Sequence, residues 1–174
     1  MYSLEEISQY RATDGVYVNK LVLDTNLLLL LCIGSFKIES LSKLKCTARY
    51  SSEDYILLLK ILDFFQKQII ITPHILAEFS NISKNDIKDS EIAQYLVHVV
   101  EKLKGFQEQH IPLVGLLILN VGLLARFGFP DIGIIEAAKI LNAFILTDDG
   151  ALSRHANDCQ IPNCYFQNIR TSTL

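Results

Sequence analysis

The chain has 174 residues, of which 50% are hydrophobic and 20% are charged, and its mean hydropathy is +0.28. This composition can build one sizeable core and excludes an intrinsically disordered protein. The net charge of −3 and the pI of about 5.8 exclude a protein that holds nucleic acid through overall basic charge alone, although a divalent cation at an acidic site would reverse the local sign.

Two apolar stretches raise the question of a membrane span. Residues 27–33 and 111–125 both fall short of the ~20 apolar residues that a spanning helix needs. The second stretch also contains Asn120 and is followed by Arg126. We therefore expect no membrane association, and we expect the second stretch to be a buried helix or, as the alternative, the interface of a homodimer.

The N-terminal sequence and the cysteines indicate a compartment. The acidic start, Met1-Tyr2-Ser3-Leu4-Glu5-Glu6, lacks a signal-peptide pattern, so we expect a cytoplasmic protein. The four cysteines include no CxxC pair, which argues against a zinc ribbon. In a cytosol they are expected to be reduced thiols.

Apolar runs that predict strands alternate with stretches of helical spacing. In chain order, the predicted elements are a strand at 17–24, a helix at 27–32, a loop or short helix at 34–46, a helix at 51–65, a strand at 68–71, a helix from 72, one or two amphipathic helices at 85–106, helices at 112–127 and 130–141, a strand at 143–147, a helix at 150–157 and a short last strand at 164–166. Ser51 and Thr72 are expected to cap their helices, and Gly128 to end the helix before it.

This alternation predicts a three-layer α/β/α fold around a central, mainly parallel sheet of about four to five strands. No linker rich in Gly, Ser or Pro divides the sequence. We therefore expect one domain over residues 1–174, with a helical elaboration at about 85–121.

Four acidic residues stand where such a fold binds ligands. Asp24 and Asp149 each follow a predicted strand, and open α/β sheets bind ligands beyond the carboxyl ends of their strands. Glu78 lies in the first two turns of a helix, and Asp131 begins another helix after Pro130. Each acid alone also suits a turn or a helix N-terminus. Together they offer the oxygen ligands that Mg²⁺ or Mn²⁺ prefers.

Asp148 and Asp149 place two adjacent carboxylates after one strand. Like charges so close raise each other's pKa and cost stability unless a cation is present. Asn26, two residues after Asp24, could orient a metal-bound water, although Asn is also an ordinary turn residue. The cluster therefore favours a metal site.

These motifs resemble a known family. The segment Leu21-Val22-Leu23-Asp24-Thr25-Asn26, the helix of Glu78 and the run 124–155 are similar to PIN-domain nucleases, and in particular to toxin ribonucleases of bacterial toxin–antitoxin pairs. The family pattern is an Asp that ends the first strand, a helical Glu, a helix-opening Asp and a Thr-x-Asp after a later strand. It falls here on Asp24, Glu78, Asp131 and Asp149, with Thr147 as the Thr.

The resemblance implies a metal-dependent endoribonuclease that hydrolyses phosphodiester bonds of single-stranded RNA with Mg²⁺ or Mn²⁺. The implied catalytic residues are Asp24, Glu78, Asp131 and Asp149. The implied metal residues are Asp24, Asp131, Asp149 and Asp148, of which Asp148 is expected either to assist or to lie beside the site. Asn26 and Thr147 are expected to orient carboxylates or water. A cognate antitoxin protein is the implied partner.

Two features depart from the family pattern. The chain is longer than a typical toxin of this kind because of the added segment at about 85–121, which leaves open a subunit of a larger assembly. It also lacks a dense basic stripe, so substrate contacts are expected from single residues such as Arg154 and Lys45. Each of these equally suits a solvated surface.

Other chemistries fit the sequence less well. A haloacid-dehalogenase-type phosphatase also has an Asp after its first strand, but its expected general acid two residues later is Asn26 here. The sequence has no GxSxG, Walker A or GxGxxG motif, and its four histidines are scattered, which argues against zinc. The remaining alternative is a non-catalytic PIN-like module that binds RNA or protein in a larger assembly.

Overall fold

The structure, a computed structural model, describes residues 19–65, 68–117 and 121–170. Within these residues, five strands form the central sheet: β1 (Leu21–Leu23), β2 (Ile69–Ile71), β3 (Gln107–Glu108), β4 (Phe144–Thr147) and β5 (Asn163–Tyr165). Their order is β3-β2-β1-β4-β5, and every neighbouring pair is parallel. The sheet therefore has β1 at its centre, between β2 and β4.

Helices flank this sheet, which confirms the predicted three-layer α/β/α fold. They are α1 (Thr25–Phe36), α2 (Ser52–Phe64), α3 (Pro73–Asp86), α4 (Asp89–Leu103), α5 (Leu113–Leu117), α6 (Val121–Leu141), α7 (Gly150–Asp158) and α8 (Phe166–Arg170), with a 3₁₀ helix at Ile38–Lys43. No helix in the described part of the chain is long and apolar enough to cross a membrane.

α1 lies in the middle of the core. Its residues 27–33 are all buried, and it contacts α2, α3 and α4 as well as β4. A helix enclosed on all sides can be apolar around its whole circumference. This explains why the run from Leu27 to Ile33 shows no amphipathic periodicity in the sequence.

The predicted helix caps are confirmed. Ser51 forms a capping box with Asp54, in which each side chain bonds the backbone N–H of the other residue. Thr72 caps α3 by accepting a hydrogen bond from the N–H of Ile75, and Pro73 occupies the first turn. Local sequence therefore sets where these two helices begin.

The structure differs from the predicted elements in three places. The segment predicted as a helical elaboration at about 85–121 contains β3, an exposed polar strand at the sheet edge that gives no alternating apolar pattern. The stretch at 111–125, expected to be a buried helix, is largely exposed among its described residues, for example at Leu113, Val114 and Val121. The predicted helix end at Gly128 is confirmed, because this residue has non-helical φ and ψ angles of 74° and 176° and separates two helices within the range of α6. The short helix α8 was not predicted. Residues 17, 18 and 118–120 of predicted elements lie outside the described residues.

Gly34 provides a test of how closely α1 packs against α2. A Cβ added at Gly34 would lie only 2.5 Å from Cδ2 and 2.8 Å from Cγ of Tyr55. We expect Gly34→Ala to lower the free energy of unfolding by up to about 2 kcal/mol, because overpacking costs about 1–3 kcal/mol and the gain in helix propensity offsets about 1 kcal/mol of that cost. Urea denaturation measures this change.

Gly115→Ala is the matched control, since Gly115 also lies within a helix but has no neighbour within 4 Å of its added Cβ. This variant should be neutral or slightly stabilised. Equal stability changes in the two variants would contradict the close packing at Gly34.

Candidate functional site

The strand order creates a natural binding crevice. The chain leaves β1 toward β2 on one side and later returns to β4 on the other side, so the connections diverge from the centre of the sheet. In such sheets, ligands bind beyond the carboxyl ends of the strands at the point of divergence. Asp24 follows β1 and Asp149 lies just beyond β4, so both stand at this point.

A cavity of about 130 Å³ opens at this crevice. Its lining residues are Asp24, Thr25, Asn26, Glu78, Ile82, Asp131 and Asp149. The structure therefore brings together the four acids that the sequence pattern singles out, from the start of α1, the middle of α3, the second half of α6 and the start of α7.

Asp24 is the most firmly held of the four acids. Its Oδ2 accepts hydrogen bonds from Thr147 Oγ1 and from the backbone N–H of Asp148, both at 2.6 Å, and its Oδ1 accepts from the N–H of Leu27 at 2.8 Å. The residue is only 3% exposed. Burial raises its pKa to about 6, although the three hydrogen bonds oppose this shift.

The Thr147 hydroxyl connects Asp24 to Asp149. It donates to Asp24 and accepts a hydrogen bond from the backbone N–H of Asp149 at 2.9 Å. Asp149 in turn caps α7, because its Oδ1 accepts from the N–H groups of Ala151 at 2.6 Å and Leu152 at 3.1 Å. One hydroxyl therefore connects two acids that follow different strands, Asp24 after β1 and Asp149 after β4.

Glu78 has a partner that the sequence analysis missed. The Thr25 hydroxyl donates a hydrogen bond of 2.5 Å to Oε2 of Glu78 and so connects the start of α1 to α3. The signal for this contact is a hydroxyl residue directly after Asp24, but 53 residues separate it from Glu78, and only the folded chain brings the two together.

Asp131 is the least restrained acid. Within the described residues its carboxylate has no hydrogen-bond partner, and it faces three other carboxylates. Burial raises its pKa to about 7, with further contributions from the negative charges of Asp149, Asp24 and Glu78. An unpaired carboxylate in this position favours an additional positive group in the cavity.

Asp148 points into a different environment. It does not line the cavity; its Oδ2 accepts from the Tyr50 hydroxyl and its Oδ1 from the Gln167 amide, both at 2.6 Å. Arg49 lies 3.2 Å from the same Oδ2. Because these contacts hold the carboxylate away from the cavity, they favour a supporting role over the metal-ligand role that the resemblance implies.

The cavity suits a hard divalent cation by its chemistry, because its charged donors are all carboxylates and Asn26 adds an amide oxygen. Across residues 19–65, 68–117 and 121–170, no three His, Cys, Asp or Glu side chains stand as a ready-made metal-binding group. A divalent ion at this position would draw its protein ligands from these carboxylates and keep several of its waters.

The two predicted substrate contacts lie outside this lining. Arg154 is exposed on the first turns of α7, where its Nη1 lies 3.5 Å from the position of an added Cβ at Gly150, directly after Asp149. Lys45 is exposed in the turn after the 3₁₀ helix. Arg154 thus lies beside the residue that follows Asp149, whereas no contact among the described residues connects Lys45 to the cavity.

Size alone would point to a different cavity, of about 630 Å³. It is lined largely by apolar residues such as Leu59, Ile69 and Phe106, and Ile69 begins β2, so it lies toward the opposite edge of the sheet. We place the candidate site at the smaller cavity, because four carboxylates converge there and burial raises the pKa of two of them, Asp24 and Asp131.

Comparison of the chain with models of known protein families, with curated proteins and with solved structures gives no match. The functional argument therefore depends on the residues and geometry of the site itself.

The raised carboxyl pKa values predict a pH-dependent stability. Asp24 and Asp131 have folded-state pKa values of about 6 and about 7, against 3.8 for an ordinary Asp. Between about pH 4 and pH 7 the native state binds more protons than the unfolded state, so the free energy of unfolding falls as pH rises through this range. We expect the metal-free protein to melt several degrees lower at about pH 8 than at about pH 5.

Asp131→Asn should reduce this difference in melting temperature between the two pH values, because it removes the acid whose pKa is raised most. Asp158→Asn, a change at an exposed acid of α7, should leave the difference intact. Thermal melts in chelator at the two pH values measure both effects. A wild type that is equally stable or more stable at the higher pH would contradict the assigned shifts.

Proposed function

We propose that this protein is a PIN-like, metal-dependent endoribonuclease that hydrolyses phosphodiester bonds of single-stranded RNA with Mg²⁺ or Mn²⁺. The observation that carries the proposal is the convergence of Asp24, Glu78, Asp131 and Asp149 from four separate elements on one cavity. The order of these acids along the chain is the order of the PIN-domain pattern. RNA as the substrate class comes from that resemblance.

Each acid has a distinct role in this proposal. Asp24 is a fixed ligand, since three hydrogen bonds define its orientation, and Asp149 is held beside it by its N-cap bonds. Asp131 is an adjustable ligand, because no hydrogen bond from the described residues restrains it. When bound, the ion would supply an activated water and neutralise charge on the phosphate.

Glu78 and Asn26 complete the proposed machinery. The hydrogen bond from Thr25 uses one carboxylate oxygen of Glu78 and leaves the other to accept a proton or to orient a water. Asn26 lines the same cavity and can both donate and accept hydrogen bonds, which suits the orientation of a water or a phosphate oxygen. A cognate antitoxin and a homodimer stay predictions.

Asp131→Asn is the sharpest test of the activity. It removes one charge but breaks no hydrogen bond among the described residues, so the fold should be retained. We expect cleavage of labelled single-stranded RNA in Mn²⁺ to fall by about 100-fold or more, since metal-based stabilisation of the transition state amounts to several kcal/mol. Asp158→Asn is the matched control and should cleave like the wild type. Undiminished cleavage by Asp131→Asn would refute the assignment.

Metal binding separates the enzyme from the non-catalytic alternative. If the four acids hold Mn²⁺, ion at about 100 times its Kd should stabilise the protein by about 2.7 kcal/mol. For a domain of this size that corresponds to a rise in Tm of roughly 5–10 °C. The rise should be much smaller in Asp131→Asn than in Asp158→Asn. A wild type that neither gains stability nor cleaves RNA would favour the binding-module alternative.

A further inference from the structure

We propose that Asp148 is a positioning residue for the acidic site: Tyr50, Gln167 and Arg49 hold its carboxylate, so that its backbone N–H fixes the orientation of the Asp24 carboxylate. The inference rests on the proposed metal-dependent activity. It assigns a role to three residues outside the cavity, namely Tyr50, Gln167 and Arg49, which neither the acidic pattern nor the cavity lining includes.

The carboxylate of Asp148 is enclosed and fully engaged. Its side chain is 1% exposed, and donors meet both oxygens: the Tyr50 hydroxyl and the Arg49 Nε at Oδ2, and the Gln167 amide at Oδ1. A buried carboxylate needs such donors to remain charged at acceptable cost. A role as metal ligand would require it to leave three donors and turn toward a cavity that it does not line.

Arg170 connects this arrangement to two other elements. Its Nη1 donates to Oε1 of Gln167 and its Nη2 donates to the backbone carbonyl of Arg49, both at 3.0 Å. Its Nε lies 2.6 Å from Oδ1 of Asp54, the residue that completes the capping box of α2. Arg170 thereby joins α8 to the start of α2 and to the backbone of Arg49, which limits the movement of the residues that hold Asp148.

The network reaches the site through the backbone. The N–H of Asp148 donates to Oδ2 of Asp24 at 2.6 Å, and the same oxygen accepts from Thr147. Asp149 follows directly in the chain, so a shift of the peptide at Asp148 would move two of the proposed ligands together. Displacements of about 1 Å in a catalytic arrangement can cost 100-fold in rate, so a rigid anchor at this point has a functional consequence.

Tyr50→Phe tests the anchor with little disturbance of packing. It removes one of the two donors at Oδ2 of Asp148, leaving Arg49, and keeps the ring, which packs edge-on against Phe166 at 6.4 Å between centroids. The matched control is Tyr55→Phe in α2, whose hydroxyl has no hydrogen-bond partner in the described part of the chain. Asp148→Asn is the second variant, because it keeps the shape of the side chain and removes its charge.

The measurements are Mn²⁺ affinity by calorimetry, kcat and KM for single-stranded RNA, and hydrogen exchange of the Asp148 amide. We expect Tyr50→Phe to bind Mn²⁺ with wild-type stoichiometry but with affinity or kcat reduced by about 10–100-fold, as for residues that orient metal ligands. KM should change little, and the Asp148 amide should exchange faster than in Tyr55→Phe. Asp148→Asn should behave like Tyr50→Phe.

Three outcomes are decisive. Wild-type affinity, kcat and amide exchange in Tyr50→Phe would overturn the positioning role. Loss of a bound ion in Asp148→Asn, with no effect of Tyr50→Phe, would make Asp148 a ligand and also overturn it. If the wild type itself neither binds Mn²⁺ nor cleaves RNA, the proposed function fails, and amide exchange in Tyr50→Phe still decides whether the network fixes the Asp148 backbone.

Discussion

Asp24 brings a carboxylate into the protein interior at the point where β1 ends and α1 begins. That group caps the most deeply buried helix of the described chain and at the same time accepts two hydrogen bonds from the end of β4. An unpaired carboxylate at this depth would be costly, and the three donors offset part of that cost. The site depends on this interaction, because it couples the two strands whose ends form the crevice.

Glu78, Asp131 and Asp149 add further negative charge beside Asp24 in the same cavity. Burial, and after it the negative charges of three other carboxylates, raise the pKa of Asp131 in a cavity with no basic side chain among its lining residues. Such repulsion does not help the core to pack, since apolar residues at these positions would stabilise the fold more than carboxylates do. A bound cation would convert the repulsion into attraction, which is the physical reason that the geometry favours a metal-dependent activity over a purely structural cluster.

The acids differ in how firmly they are held. Backbone N–H groups and the Thr147 hydroxyl hold Asp24 and Asp149, whereas Asp131 has no hydrogen bond among the described residues. Asp148 differs from both: Tyr50 and the half-exposed Arg49 hold its buried carboxylate, and its backbone N–H contacts the site through Asp24. A chain of contacts from Arg170 through Gln167 and Asp148 to Asp24 thus connects α8 to the cavity.

The sequence by itself determined the local features of this protein. The capping residues Ser51 and Thr72, the apolar strand before Asp24 and the order of the four acids all follow from short-range patterns, and they suffice to predict a parallel α/β/α sheet with acids at one edge. Tertiary structure decided the rest. β3 is a strand because β2 offers it an edge, and Asp148 differs from Asp149 because Tyr50, 98 residues away, meets only one of them. Such choices depend on contacts between distant segments, which local propensity and spacing do not encode.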